Sequence, residues 1–143
     1  MTDDIKKKID VVFIAGGKFH DIDFARLEIL KLLAEDDRMK VRVFEDYSNL
    51  HAIEKADFLI TYTCDVRPTL EQQRVLKNYV SSGNRWLALH GTNSILQFMS
   101  DGKVDSPRIA PVMMETLGSQ FIAHPPIEPY NVKVSQPDHP LVK

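Results

Sequence analysis

The feature that most constrains this fold is a set of short apolar runs, each stopped by glycine or polar residues. Runs of this length, rich in β-branched residues, are typical of strands that are covered on both faces of a sheet. The second run alternates apolar and polar residues, which favours a more peripheral strand. The four runs comprise residues 10–17, 40–46, 57–63 and 85–91.

The segments that alternate with these runs have helical spacing. The clearest helix signals lie in the third segment, where Thr69 and Gln72 fit a capping box and Gly83 stands where a helix-ending glycine belongs. Two further pieces, residues 120–126 and 130–135, resemble short strands. The predicted helices cover residues 20–37, 49–56, 68–83 and 107–118.

The first of these helices has a stripe of apolar residues on one side. The stripe is formed by Phe24, Leu27, Leu30 and Ala34, and this spacing is typical of a helix that packs against a core. At its start, Asp21 or Asp23 can act as the N-cap.

Strands and helices that alternate in this order predict an α/β fold, a doubly wound, mainly parallel sheet with helices on both faces. The 143 residues suit one domain, residues 1–143, with a single core. The chain ends at "DHPLVK" without a terminal helix, which is typical of a domain whose C-terminal part is missing.

Composition excludes several function classes. A formal charge of −2 without a basic cluster argues against nucleic-acid and membrane-surface partners. Cys64 is the single cysteine, so an intramolecular disulfide and a multi-cysteine metal site are excluded. No run approaches the ~20 apolar residues of a membrane span. These features predict a cytoplasmic protein, and they are compatible with a homo-oligomer.

Ligands of doubly wound sheets bind outside the carboxyl ends of the strands. Polar groups follow the first, third and fourth strands, in "GGKFHD", "TCDVRPT" and "HGTNS". We therefore expect these groups to meet at one edge of the sheet and to bind substrate. The predicted substrate-binding residues are Gly16, Gly17, Asp65, Arg67, Asn93 and Ser94.

His90 ends the fourth run at a strand–turn position, the place where a nucleophile elbow holds serine or cysteine. An imidazole there can act as a general base, bind a metal or orient a ligand. The alternative is a histidine that only stabilises the turn. His20 and His124 also follow strand-like runs, and three histidines can bind a divalent metal such as zinc. A metal-free histidine cluster that binds a polyol is the other interpretation.

Other motifs favour structural roles. Asp21 stands where a dinucleotide fingerprint needs its third glycine, which argues against nicotinamide binding. Cys64 is interpreted as a small buried thiol rather than a nucleophile. Trp86 and the pair Met113–Met114 are interpreted as core. His51 and His139 are assigned no role.

Five stretches, taken in order, resemble the ThuA-like (trehalose-utilisation) family, which belongs with the class I glutamine amidotransferase-like folds. The resemblance runs from Val11 to Lys143 and implies a flavodoxin-like sandwich. It implies histidines at positions 20, 90 and 124 and a small polar residue near Ser94. Because His90 replaces the elbow cysteine, no glutamine amidotransferase activity is expected. The stretches are "AGGKFHD", "TYTCDVRPTLEQQRVLKNYVSSG", "WLALHGTNS", "LGSQFIAHPP" and "VSQPDHPLVK".

These observations predict a hydrolase or lyase that acts on a small sugar or keto-sugar related to disaccharide utilisation. His90 and His20 are the predicted catalytic residues, and Asp21 is predicted to orient His20. The predicted metal ligands are His20, His90 and His124. One alternative is a non-catalytic sugar-binding or regulatory module, and another is a pseudo-amidotransferase subunit with a protein partner.

Overall fold

The structure is a computed structural model that describes residues 7–142. Its centre is a parallel four-stranded sheet in the order β2-β1-β3-β4, which is the flavodoxin-like strand order. The predicted α/β fold class is therefore confirmed. The strands of this sheet are β1 Ile9–Gly17, β2 Met39–Phe44, β3 Phe58–Cys64 and β4 Arg85–Ala88. The helices are α1 Ile22–Leu33, α2 Leu50–Lys55, α3 Leu70–Ser81 and α4 Pro111–Leu117.

Strand β1 is the central element, because it pairs with β2 on one side and with β3 on the other. Its side chains alternate between two cores, with Val12 and Ile14 in one and Val11, Phe13 and Ala15 in the other, all fully buried. A continuous apolar run is required at such a position, because neither face of the strand meets water.

Helix α1 covers one face of the sheet through Ile22, Ile29, Leu30 and Leu33. The predicted stripe is wrong in part, since Phe24 and Leu27 are 62% and 51% exposed. Apolar residues on this helix form two stripes. The stripe that begins at Ile22 follows the i, i+7, i+8, i+11 spacing and packs against the sheet, while the other faces outward.

The other three helices cover the second face. Thr69 and Gln72 form the predicted capping box at the start of α3. The N-cap of helix α4 is Ala110, whose side chain cannot accept a capping hydrogen bond. The buried amide of Gln73 replaces it, because its Oε1 accepts from the N–H groups of Val112 and Met113 at 3.2 and 3.4 Å.

The last third of the chain departs most from the predictions. Strand β4 ends at Ala88 and lies at the edge of the sheet, and residues 120–126 and 130–135 form no strand. These two segments are apolar but have no neighbouring strand in the described structure to pair with. A small antiparallel hairpin, β5 Gln97–Phe98 with β6 Val104–Asp105, precedes α4. A 3-10 turn, Pro140–Val142, ends the described chain.

The four helices are short. Within residues 7–142, none has both the length and the apolar character that crossing a bilayer requires.

Candidate functional site

Two histidines meet at the carboxyl end of the sheet. His20 follows β1 and His90 follows β4, and their Nε2 atoms lie 2.9 Å apart. The rings are inclined by 65°, with centroids 4.9 Å apart. Strands β1 and β4 are separated by β3 in the sheet, so it is the loops that bring the two imidazoles together.

The loops after β1, β3 and β4 are joined by backbone hydrogen bonds. Lys18 N–H donates to the carbonyl of Cys64 at 2.9 Å, and Asp65 N–H donates to the carbonyl of Ser94 at 2.9 Å. We call these loops, residues 18–21, 64–67 and 89–96, the strand-end wall. Each loop thus limits the movement of the next, which fixes the distance between the two imidazoles.

The carboxylate of Asp65 strengthens this wall. Its side chain is only 5% exposed and accepts from Arg67 Nε at 3.1 Å, from Lys18 Nζ at 3.4 Å and from the N–H of Leu96 at 3.1 Å. Arg67 in turn donates to the carbonyl of Leu96. Asp65 and Arg67, predicted to bind substrate, therefore satisfy one another and the loops around them.

The turn that carries His90 is fastened to β3 by a buried hydroxyl network. Thr92 Oγ1 donates to the carbonyl of Thr61 at 3.2 Å and lies 3.0 Å from Thr61 Oγ1. Trp86 Nε1 donates to the same Thr61 hydroxyl at 3.0 Å. Both threonines are almost fully buried, and buried polar groups that are all satisfied specify one local geometry.

The proton positions in the histidine pair follow from the partner of His20. Its Nδ1 lies 3.3 Å from the carbonyl of Lys18, and because a carbonyl can only accept, Nδ1 carries the hydrogen. The Nε2 of a neutral His20 is then the acceptor, and His90 Nε2–H is the donor. The arrangement therefore places a base and a proton donor side by side.

A cavity of about 870 Å³ opens above the imidazole pair. Its lining includes His20, His90, Cys64 and Ser94, which we call its floor, and residues 121–128 and Tyr130 from the chain after α4. We call residues 121–130 the C-terminal wall. Pockets of this size hold drug-sized molecules, so the cavity is larger than a single monosaccharide requires.

The thiol of Cys64 is buried in this floor. Burial, together with the neighbouring Asp65 carboxylate, raises the pKa of Cys64. A thiol that stays protonated is a poor nucleophile. The structure agrees with the interpretation of Cys64 as a small buried side chain.

Asp21 serves the helix rather than the histidine. Its Oδ1 accepts from the N–H of Phe24 at 2.9 Å, which makes Asp21 the N-cap of α1. The predicted N-cap is confirmed, but the predicted role in orienting His20 is not what the contacts show. The group that holds His20 Nδ1 is the carbonyl of Lys18.

Gly16 and Gly17 are predicted to bind substrate, and the structure shows a packing role for them. Both belong to β1 and pair in register with Thr63 and Cys64. A Cβ added at Gly16 would lie 2.0 Å from the carbonyl oxygen of Glu45, and one at Gly17 would lie 1.8 Å from that of Cys64. The glycines are needed because neighbouring backbone comes this close.

Asn93 and Ser94 lie on the strand-end wall. The Asn93 side chain donates to Ser119 Oγ at 3.0 Å, and its carbonyl accepts from Phe121 N–H at 3.1 Å. Asn93 therefore joins the two walls. Ser94 is 7% exposed and lines the cavity, and its role in binding substrate stays a prediction.

His124 lines the same cavity from the C-terminal wall. Its Nδ1 lies 2.7 Å from the carbonyl of Pro125. In the part of the chain that the structure describes, no group of three or more His, Cys, Asp or Glu side chains is arranged to hold a metal ion. All three predicted ligands line one cavity, but only His20 and His90 are in direct contact, so the three-histidine metal site stays a prediction.

Sequence reasoning missed Phe19, which lines the cavity next to His20. Its φ is +67°, and that of Asp65 is +56°; bulky side chains rarely adopt this conformation. An aromatic residue placed between a glycine pair and a histidine was the available signal.

Comparison of the chain with family models, with curated proteins and with solved structures finds no match.

Proposed function

We propose that this chain is an acid–base enzyme of the ThuA-like type, a lyase or hydrolase acting on a small sugar or keto-sugar related to disaccharide utilisation. The observation that carries the proposal is the 2.9 Å contact between His20 Nε2 and His90 Nε2 on the floor of a cavity. We place the enzyme in the cytoplasm, in keeping with its composition.

The pair can divide acid and base work between its members. With a keto-sugar in the cavity, His90 Nε2–H donates to the ketone oxygen and His20 Nε2 removes a proton from the adjacent carbon. The C–H electrons form a C=C bond and the charge collects on the oxygen. When the C–O bond one carbon further along breaks, the enolate oxygen re-forms its C=O bond and the C=C electrons move to the carbon that loses the oxygen. The departing oxygen leaves with the electrons of the broken bond and takes the proton back from His20.

A hydrolase reaction would use the same two atoms. Water would add to the C=C bond left by the elimination: His20 Nε2 would take a proton from the water that attacks the carbon that lost the oxygen, while His90 Nε2–H donates to the ketone oxygen. His20 would then return the proton to the adjacent carbon, which completes the hydrolysis. In both reactions the carbonyl of Lys18 keeps the acceptor lone pair of His20 on Nε2. The buried threonines keep His90 within reach.

Substitution of each histidine by glutamine tests the proposal. General acid–base groups contribute about 10²- to 10⁴-fold, so His20→Gln and His90→Gln are each expected to lower kcat on keto-disaccharides by about this factor. His51→Gln is the matched control, since His51 is exposed on α2. Unchanged turnover in both site variants would reject the proposal.

Rescue and binding experiments separate chemistry from binding. Added imidazole is expected to restore part of the turnover to a His90→Gly variant, because a free ring can occupy the space left behind. Binding of keto-disaccharides without turnover by the wild type would instead favour the non-catalytic module. A chelator that abolishes turnover, with restoration by zinc, would support the three-histidine metal site.

A further inference from the structure

The C-terminal wall of the cavity is mainly apolar, with His124 and Glu128 as its charged or polar side chains. Phe121, Ile122, Ala123, Pro125, Pro126 and Ile127 contribute to it. Ile122 and Ile127 are 74% and 95% exposed. A group of exposed apolar side chains around one cavity marks a surface that a ligand or partner covers.

Phe19 adds an aromatic face close to the reacting atoms. Its ring is 58% exposed, lines the cavity and lies 5.3 Å from the ring of Phe98, centroid to centroid. Its φ of +67° is unfavourable for a bulky residue. The fold thus holds a large apolar ring in a strained conformation without burying it, which packing alone does not explain.

Sugar hydroxyls are poor partners for such a surface. A hydroxyl placed against hydrocarbon loses its hydrogen bonds to water and gains none. An aromatic ring of the ligand gains contact on the same surface, and stacks or packs edge-to-face on phenylalanine. The polar groups of the cavity floor and its apolar sides therefore suit two different parts of one molecule.

We infer that the substrate is an aryl glycoside or its keto derivative, with the sugar at His20 and His90 and the aryl group between Phe19 and the C-terminal wall. This inference rests on the proposed function for the position of the sugar. The cavity volume of about 870 Å³ is large enough for both parts.

Calorimetric titration of the whole chain with three probes tests the inference. The probes are 4-nitrophenyl glucoside, methyl glucoside and trehalose. We expect the aryl glucoside to bind about tenfold more tightly than the other two, because only its aryl group can cover the apolar surface. Equal affinity for the three probes, or no binding of any, would overturn the inference.

A matched pair of variants locates the aryl group. Phe19→Ala is expected to weaken binding of the aryl glucoside about three- to tenfold and to leave methyl glucoside unaffected. Phe24→Ala is the control, because Phe24 is similarly exposed at 62% but lies on α1 outside the cavity. If Phe19→Ala weakened both glucosides equally, Phe19 would not contact the aryl group.

The binding experiments and the turnover experiments can contradict the aryl inference and the proposed chemistry independently of each other. Aryl selectivity that depends on Phe19 can be present when the histidine variants keep full turnover, which would reject only the proposed chemistry. Loss of turnover in those variants together with equal affinity for the three probes would reject only the aryl inference.

Discussion

One side of the cavity is the strand-end wall, and the other is the C-terminal wall that follows α4. The first is joined by backbone hydrogen bonds between three loops and by the enclosed carboxylate of Asp65. In the second, only Phe121 is fixed through its backbone, to Asn93 and Ser106, and residues 122–130 are exposed.

Under the proposed function, the difference would correspond to two tasks. Proton transfer between His20, His90 and a substrate requires atoms held within about 0.5 Å of the productive geometry. Contact with a flat apolar group is non-directional and tolerates adjustment. A fixed wall for chemistry and a less constrained wall for recognition are therefore expected, and the following substitutions test whether the two walls differ in this way.

The largest effect is expected from Gly17→Ala, at the end of β1 and next to the strand-end wall. An added Cβ would lie 1.8 Å from the carbonyl oxygen of Cys64, at a φ of +107°. Strain and overpacking together should lower the free energy of unfolding by at least about 3 kcal/mol. Urea denaturation measures this change.

Gly118→Ala is its matched control, at the end of α4 and before the C-terminal wall. Gly118 also has a positive φ, +74°, but nothing lies within 4 Å of an added Cβ. The expected loss is about 1 kcal/mol, from backbone strain alone. Equal losses in the two variants would show that the close approach at Gly17 is unimportant.

The second effect concerns Asp65→Asn. Asparagine tolerates the positive φ of this residue, so the variant removes the charge and keeps the backbone. Without the negative charge, the hydrogen bonds from Arg67 and Lys18 to residue 65 become weaker. This should lower the free energy of unfolding by about 2 kcal/mol. Because the histidine loops are joined through Asp65, kcat should fall as well.

Glu128→Gln provides the comparison from the C-terminal wall, where Glu128 is exposed. Its free energy of unfolding should change by less than about 0.5 kcal/mol. A larger loss in this variant than in Asp65→Asn would reverse the assignment of the rigid wall.

The parts of the fold that the sequence could predict depend on short-range patterns. The runs that became β1 and β3, and the capping box of Thr69 and Gln72, are local features with strong periodicity or spacing. The meeting of His20 and His90 was predictable too, because carboxyl ends of parallel strands share one edge.

What the sequence could not predict depends on contacts between distant segments. Gly16 and Gly17 resemble a ligand-binding turn, and only the fold shows that the carbonyls of Glu45 and Cys64 come close to them. Residues 120–126 have strand-like composition, but pairing requires a neighbour. His124 was expected at the end of such a strand; it lines the same cavity as His20 and His90, but it follows a segment that forms no strand.

A smaller effect is expected from alkaline pH. Burial, and secondarily the charge of Asp57, raises the pKa of Tyr79 from 10.0 to about 12. Below pH 10 the phenol is neutral in both the folded and unfolded chains, so its contribution is fully present. Above that pH only the unfolded chain ionises at first, and at pH 11 the free energy of unfolding should be lower by about 1 kcal/mol.

Tyr79→Phe should remove this part of the alkaline loss, although it also removes the hydrogen bond to the carbonyl of Ala56. The comparison is therefore made between slopes from pH 9 to 12, rather than between absolute stabilities. Tyr130→Phe, at a side chain 84% exposed on the C-terminal wall, should leave the slope of the wild type unchanged. Identical slopes in all three proteins would contradict the role of Tyr79.

The smallest effect is expected from Ile127→Ser, because Ile127 is 95% exposed and has little packing to lose. The free energy of unfolding should change by less than about 0.5 kcal/mol.

Hydrogen exchange provides the direct comparison of the walls: amides of residues 122–130 should exchange rapidly, and those of β1 and β3 only on global unfolding. If amides of residues 122–130 exchanged as slowly as those of Lys18 and Asp65, both walls would be rigid, and adjustment to a ligand would have to come from side chains alone.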